Sequence, residues 1–158
     1  TWRSLGSSYL PSEINAAFLY GQLQRADEVN KERLRIWDRY NSSFQPLFRE
    51  GHIESPVIPD ACSHNAHIFS VKTINSAVRS KLIAHMKEGG IQVLSHYVPL
   101  HSSPKGVEIT RCHGQDVYTT SESERLLRFP IYFGIAEEEL TRIISHTFDF
   151  FGMNYDGE

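Results

Sequence analysis

The amino-acid sequence predicts a small α+β domain in which one long N-terminal helix and a small sheet covered by helices share a core. Apolar residues recur at helical spacing from about Ser12 to Phe44, which predicts the long helix. The segment Ala66–Val71 alternates polar and apolar residues, as a half-buried strand does. The chain has 158 residues, which suffice for one domain around one core.

The first helix is predicted to begin near Ser12. Pro11 fits this start, because a proline in the first turn of a helix sacrifices no hydrogen bond. The apolar stripe along this helix consists of Leu19, Leu23, Ala26, Val29, Ile36, Tyr40 and Phe44. The opposite face is charged and is predicted to be solvated. Pro46, Gly51, Pro56 and Pro59 then predict a loop.

The middle of the chain predicts a strand, a helix and a second strand. The strand Ala66–Val71 is followed by a helix over Ser76–Glu88, which the pair Gly89–Gly90 should end. A second strand is predicted over Ile91–Val98, up to Pro99. These alternating elements favour a layered α+β arrangement.

The last third predicts a long loop, a short strand and a final helix. The loop covers His101–Ser121, which is rich in Ser, Thr, Gly, Pro and His, and loops of this length usually have a function. The short strand lies within Leu126–Phe133. The final helix is AEEELTRIISHTFDFF, whose first turn is acidic, as the helix dipole favours.

Composition excludes several classes of function. The formal net charge is −3 and no basic run is present, so the chain lacks the electrostatic pattern of a nucleic-acid binder. No apolar stretch is as long as a membrane span, and the first residues do not form a signal peptide pattern. Cys62 and Cys112 are the only cysteines, and we expect free thiols and a cytoplasmic protein, with a single disulfide as the alternative.

A zinc site and a serine hydrolase are two alternatives that the sequence disfavours. Cys62, His64 and His67 lie close together, and Cys112–His113 could supply further ligands. Their spacing matches no common zinc motif, so polar loop and strand residues are the preferred interpretation, and no metal is predicted. No G-x-S-x-G sequence is present, which disfavours a hydrolase elbow.

Two short segments carry the polar chemistry. In HYVPLH, His96, Tyr97 and His101 stand where a predicted strand opens into the long loop, a common position for substrate contacts. The alternative is that these histidines are structural. In GSSYLPSE, Ser8 precedes a helix start, where hydroxyls and free N–H groups can bind an anion. The alternative there is an ordinary N-cap.

Four blocks of residues, in order, resemble the C-terminal part of the DegT/DnrJ/EryC1/StrS sugar-nucleotide aminotransferases. They are GSSYLPSEINAAFLYGQLQRAD, NAHIFSV, GIQVLSHYVPLHSSPKG and TTSESERLLRFPIYF. Within this family the chain is most similar to the members that convert dTDP-4-keto-6-deoxyglucose to dTDP-4-amino-4,6-dideoxygalactose. The resemblance covers essentially the whole chain.

The resemblance implies a pyridoxal-phosphate enzyme of the aspartate-aminotransferase fold, known as fold type I. On this basis residues 1–158 are the C-terminal small domain, and the large domain that carries the Schiff-base lysine lies outside the chain. The absent initiator methionine fits a fragment. None of the lysines Lys31, Lys72, Lys81, Lys87 and Lys105 stands in the family's lysine motif. The fragment is therefore expected to be inactive alone, with no catalytic residue of its own.

The resemblance also implies the reaction and the roles of individual residues. Glutamate would supply the amino group, and the 4-keto carbon of the nucleotide sugar would receive it, for surface polysaccharides such as lipopolysaccharide or enterobacterial common antigen. Ser8 would bind the cofactor phosphate across a homodimer, in a position where many members have asparagine. His96, Tyr97 and His101 would contact the substrate.

Two further hypotheses remain beside the aminotransferase. The first is a stand-alone module that binds nucleotide sugars without catalysis, and the second is a zinc-stabilised structural domain. Small residues at Ala16, Ala17 and Gly21 would permit the close helix approach of a dimer.

Overall fold

The computed structural model describes residues 9–157 and confirms a small α+β domain. Seven α-helices and four strands lie within this range. The helices are α1 (Glu13–Leu23), α2 (Ala26–Ser43), α3 (Gln45–Arg49), α4 (Ser76–Glu88), α5 (Pro104–Ile109), α6 (Thr119–Arg125) and α7 (Glu137–Phe150). The strands are β1 (Ile53–Glu54), β2 (Phe69–Thr73), β3 (Leu94–Ser95) and β4 (Leu126–Phe129), and a 3-10 turn covers Leu100–Ser102.

The strands form one antiparallel sheet with the order β1-β2-β4-β3. Because side chains alternate along a strand, each central strand presents two different faces. The covered face consists of buried residues: Phe69, Val71 and Thr73 of β2, and Leu127 and Phe129 of β4. The open face consists of partly exposed residues: Ser70, Lys72, Leu126 and Arg128. The sheet therefore separates an apolar core from a polar surface.

Aromatic rings from α2 and from Phe44, the residue that follows it, fill the space above the covered face. The ring of Tyr40 stacks on Phe69 at a centroid distance of 5.0 Å, and Phe44 meets Phe129 edge-on at 5.1 Å. The buried hydroxyl of Tyr40 donates to the carbonyl of Pro130 at 3.0 Å, and burial raises the pKa of Tyr40. A neutral, hydrogen-bonded phenol costs little to bury, so α2 is firmly attached to the core.

Helices α4 and α7 meet beside this core through a pair of histidines. The rings of His85 and His146 stack at 4.1 Å, and the Nε2 of each lies 3.0 Å from the backbone carbonyl of the other residue. A carbonyl can only accept, so each ring donates from Nε2. Gly89 lies against this pair, and a Cβ added there would be 2.4 Å from His146 Nε2. The close approach of the two helices therefore requires glycine at this position.

The predicted long N-terminal helix is wrong in one respect, because the chain breaks between α1 and α2. Arg25 has a non-helical backbone, its guanidinium binds Glu28 at 2.8 Å, and it lies 5.2 Å from the centre of the Phe133 ring. No residue of α1 is buried, whereas α2 buries its apolar face. The apolar stripe therefore contributes to the core only within α2.

The helices predicted over 76–88 and at the C-terminal end are confirmed, as is the short strand before α7. The strand predicted over Ala66–Val71 begins later, at Phe69, because Ala66 has a positive φ of 50°. The strand predicted over Ile91–Val98 shrinks to Leu94–Ser95, and Tyr97 beyond it has φ 58°. Left-handed backbone cannot continue a strand.

Two predicted loops contain regular structure. The region around Pro46 contains α3 and the two-residue strand β1, and residues 101–121 contain α5 and the start of α6. The hydroxyl of Ser103 caps α5 by accepting from the N–H of Gly106 at 3.0 Å. Across residues 9–157, no helix combines the length and apolar character needed to span a bilayer.

Candidate functional site

His96 and Tyr97 lie directly after β3, at the edge strand of the sheet. Their rings are in contact, with centroids 4.1 Å apart, and Tyr97 is 81% exposed. Tyr97 and Ala66 are the only non-glycine residues with positive φ in the described part of the chain. Strained backbone of this kind concentrates at functional sites. Tyr97 thus presents an exposed phenol on a constrained segment.

His96, His67 and Arg128 form a cluster, which we call the His96 cluster. Desolvation is the main cause that lowers the pKa of His96, and electrostatic interactions with Arg128 and then with His67 lower it further. Arg128 lies on the open face of β4, in register with Leu94 of β3. The Nδ1 atom of His96 is buried and bonds to no residue in the range 9–157. A neutral imidazole can donate from one nitrogen and accept at the other, so His96 suits a polar ligand.

His101 has different partners, in the 3-10 turn that follows. Its Nε2 lies 2.9 Å from Oδ2 of Asp116 and 3.3 Å from the hydroxyl oxygen of Thr120. The pKa of Asp116 is lowered mainly by the hydrogen bond from the Thr120 side chain. The electrostatic interaction with His101 lowers it further. This network ties the turn to α6. His101 is therefore oriented by the protein, while His96 retains an unused nitrogen.

A cleft of about 520 Å³ borders the His96 cluster. We call it the Arg33 cleft, and its polar lining consists of Arg33 from α2, His67, Arg128, Gln92, Tyr132 and Glu139. Ile68, Gly90, Ile91, Leu94 and residues 129–131 complete its walls. His67 and Arg128 belong both to this cleft and to the surroundings of His96, so the two polar regions are continuous.

Of the other candidate residues, Ser8 lies outside the described range 9–157. His64 Nδ1 accepts from the N–H of Ala66 at 3.2 Å, and its ring packs on Trp37 at 4.6 Å. Cys62 and Cys112 are exposed free thiols, and in residues 9–157 no three His, Cys, Asp or Glu side chains are grouped to hold a metal.

Sequence reasoning missed Arg128, Arg33, Asp116 and Thr120. Alternation in LLRF was a usable signal for Arg128, because it places this residue opposite the two buried side chains of its strand. The sequence indicates His67 only as a possible zinc ligand, although in the structure it interacts electrostatically with His96. Nothing in the sequence connected Asp116 with His101, because their contact depends on the path of a loop.

Comparison with known proteins gives a consistent result. A sequence model of the DegT/DnrJ/EryC1/StrS aminotransferase family matches residues 1–147. A pleiotropic regulatory protein of Geobacillus stearothermophilus is 24% identical over 148 residues, which cover 93% of this chain and 39% of that protein. The spore coat polysaccharide biosynthesis protein SpsC of Bacillus subtilis is 30% identical over 96 residues, which cover 58% of this chain and 24% of that protein.

A solved structure matches in the same way. The S. venezuelae protein DesV, in complex with a ketimine intermediate, superimposes with a TM-score of 0.75 and 27% sequence identity. The match covers 85% of this chain and 35% of DesV. The chain thus spans less than two fifths of the length of the pleiotropic regulatory protein and of DesV, since the matches cover 39% and 35% of them.

Proposed function

Because the chain belongs to the DegT/DnrJ/EryC1/StrS aminotransferase family, we propose that it is the C-terminal small domain of a pyridoxal-phosphate-dependent sugar-nucleotide aminotransferase. In this proposal glutamate donates the amino group to the 4-keto carbon of dTDP-4-keto-6-deoxyglucose in the cytoplasm. The product is an amino sugar for a surface polysaccharide. Pyridoxal phosphate would carry the amino group between donor and acceptor.

The His96 cluster is the observation that supports a substrate-binding role. A neutral His96, whose Nδ1 has no partner in residues 9–157, and a cationic Arg128 that interacts with it match a ligand that combines sugar hydroxyls with phosphate. Tyr97 adds an exposed phenol beside the ring of His96. We assign His96 and Tyr97 to substrate contact. His101 contributes through the turn that Asp116 and Thr120 hold in place.

The residues of this chain do not fit the covalent attachment of the cofactor. A Schiff-base lysine must reach the neutral amine form in a pocket. Lys72 instead bridges Glu54 at 2.7 Å and Glu122 at 2.9 Å, and hydrogen bonding to these carboxylates raises its pKa. Lys31, Lys81, Lys87 and Lys105 are exposed. We therefore place the reactive lysine in a large domain outside this chain.

The remaining roles concern assembly. We propose a homodimer in which Ser8 binds the cofactor phosphate of the neighbouring subunit. Apolar side chains of α1, such as Phe18 at 72% exposed and Leu23 at 61% exposed, are available to be covered in such an assembly. Gly21 has no heavy atom within 4 Å of an added Cβ, so a second helix could approach there.

A binding module without catalysis is the second candidate. The same lysine environments favour it, because a chain whose amines are ion-paired or exposed can bind a nucleotide sugar without reacting with it. The two candidates differ in what the complete gene product does. The aminotransferase requires turnover, and the module requires only saturable binding.

The test uses the complete polypeptide that contains this chain, with dTDP-4-keto-6-deoxyglucose and L-glutamate. We expect an absorbing Schiff base and a new aminated sugar, detected by mass spectrometry. His96→Ala should raise the KM for the sugar by about tenfold, the value of one lost hydrogen bond to a charged group, with a smaller effect on kcat. The exposed His113→Ala is the matched control.

Two outcomes would contradict the proposal. Absence of amination together with saturable binding of the nucleotide sugar would favour the binding module. Equal KM values for the His96 and His113 variants would remove His96 from the substrate site, whether or not the complete protein is active.

A further inference from the structure

The Arg33 cleft has arginine donors for which residues 9–157 provide no acceptor. The Nε atoms of Arg33 and Arg128 are buried, and neither guanidinium hydrogen-bonds to any residue in the described range 9–157. Other guanidinium groups of this domain have partners, since Arg35, Arg125 and Arg142 each bind a glutamate. The Nε of Arg79 is also buried without a partner in residues 9–157, but its Nη1 donates to the carbonyl of Ser123 at 2.8 Å. Buried polar groups are normally satisfied, so two neighbouring exceptions require an explanation.

The charge of the cleft has the sign that attracts anions. Among residues 9–157, Glu139 is the only acidic residue that lines the cleft. Its carboxylate is occupied by Arg142, at 2.8 Å and 3.0 Å, and this hydrogen bonding is the main reason that the pKa of Glu139 is lowered. The positive charges of Arg33 and Arg128 are therefore left without a compensating carboxylate in the cleft.

We propose that the Arg33 cleft binds an oxyanion, with Arg33 and Arg128 as the main donors and His67 as a further contact. The planar fork of guanidinium matches two oxygens of a carboxylate or a phosphate. The volume of about 520 Å³ is also in the range of small-molecule sites. Both a phosphate ester and an amino-acid carboxylate have this chemistry. The site is defined by the cleft alone and can be tested without any transamination.

The test is a titration of the 158-residue chain, labelled with ¹⁵N, followed by NMR of the arginine Nε–H groups. Inorganic phosphate and L-glutamate are the two probes, at constant ionic strength and pH. We expect saturable shifts at Arg33 and Arg128. The probe that saturates at the lower concentration identifies the source of the anion. The proposal is wrong if neither probe saturates these two signals.

Variants separate a built site from general attraction to a positive surface. Arg33→Gln and Arg128→Gln should each weaken binding at least tenfold, because each removes charge-assisted hydrogen bonds. Arg49→Gln removes the same charge from an exposed position outside the cleft and should leave the affinity unchanged. Equal weakening by Arg49→Gln would mean an adventitious ion only.

A conservative variant distinguishes a loss of anion binding from a loss of folding. Arg128→Lys keeps the positive charge but loses the fork, so it should retain the fold, checked by circular dichroism, and bind with intermediate affinity. If Arg128→Lys and Arg128→Gln both bind as tightly as the original chain, the proposed donor role is wrong. Loss of amination in the complete protein has no bearing on this result.

Discussion

The two faces of the sheet follow different physical rules, and adjacent residues of β4 show this most clearly. Phe129 is 4% exposed and contacts the rings of Tyr40 and Phe44, whereas Arg128 points to the open face and has a guanidinium without a partner in residues 9–157. Burial selects the residue type on the covered face. The open face carries Arg128, whose buried Nε lacks a partner in residues 9–157. Such a group lowers the stability of the fold, and its donor remains available to a ligand. One strand therefore serves the core and the candidate site.

The largest expected effect is on the covered face. Phe129→Ala should lower the free energy of unfolding by about 3–5 kcal/mol, because it removes a large ring and leaves a cavity. Arg128→Gln, one residue earlier on the opposite face, should not lower the free energy of unfolding in this way, because the Nε of Arg128 makes no hydrogen bond within residues 9–157 that would be lost. Urea denaturation followed by circular dichroism measures both. Similar losses for the two variants would contradict the division into faces.

A medium effect is expected where α4 and α7 meet beside the core. Gly89→Ala should lower the free energy of unfolding by about 1–3 kcal/mol, because the new Cβ overlaps the His146 ring that the His85 carbonyl holds in place. Gly21→Ala is the matched control in α1, where an added Cβ meets no neighbour. It should stabilise that helix by about 0.5–1 kcal/mol.

The signs of these two glycine variants matter more than their sizes. Thermal unfolding, measured at several protein concentrations, would check both. If Gly89→Ala is neutral, the histidine stack is not a fixed contact. A destabilising Gly21→Ala whose effect grows with protein concentration would instead show that Gly21 lies in an interface between copies of the chain.

The covered face was largely predictable from the sequence. Helix α4 matches its predicted range, because Asn75 caps it by accepting from the N–H of Val78 and two glycines end it. Strand β2 was recognised from its alternation, although its first residue was misplaced. The break between α1 and α2 was not predicted, because apolar residues at helical spacing occur on both sides of Arg25. The two helices differ in burial, which the apolar spacing does not reveal.

The open face was much less predictable. HYVPLH indicated the site because three polar side chains stand in one segment, and His96 and Tyr97 do lie in contact. Arg33 is distant in sequence from this segment, and it reaches the cleft that Arg128 also lines only because α2 packs on the covered face of the sheet. Nothing in the sequence predicts the left-handed backbone of Tyr97, because tyrosine rarely adopts this conformation. Long-range packing, rather than local pattern, assembles this face.

The smallest expected effect concerns the pH response of the open face. Desolvation is the main cause that lowers the pKa of His96, followed by Arg128, so the midpoint of His96 in an NMR titration should lie below the ordinary value of about 6.5. In the unfolded chain the imidazole has its ordinary pKa. As the pH falls through about 6.5, the unfolded chain therefore binds a proton first, and the folded state loses stability until the pH is below the folded pKa.

Arg128→Gln separates the two causes of this lowered pKa. Removing the positive charge should raise the midpoint of His96, but only part of the way, because desolvation is the larger cause and remains. His96→Gln should make the free energy of unfolding less dependent on pH just below 6.5, where the protonation of His96 otherwise contributes to the slope. A midpoint that does not respond to Arg128→Gln would show that Arg128 and His96 are not electrostatically coupled. The open face would then consist of separate polar groups, and the continuity between the His96 cluster and the Arg33 cleft would lose its basis.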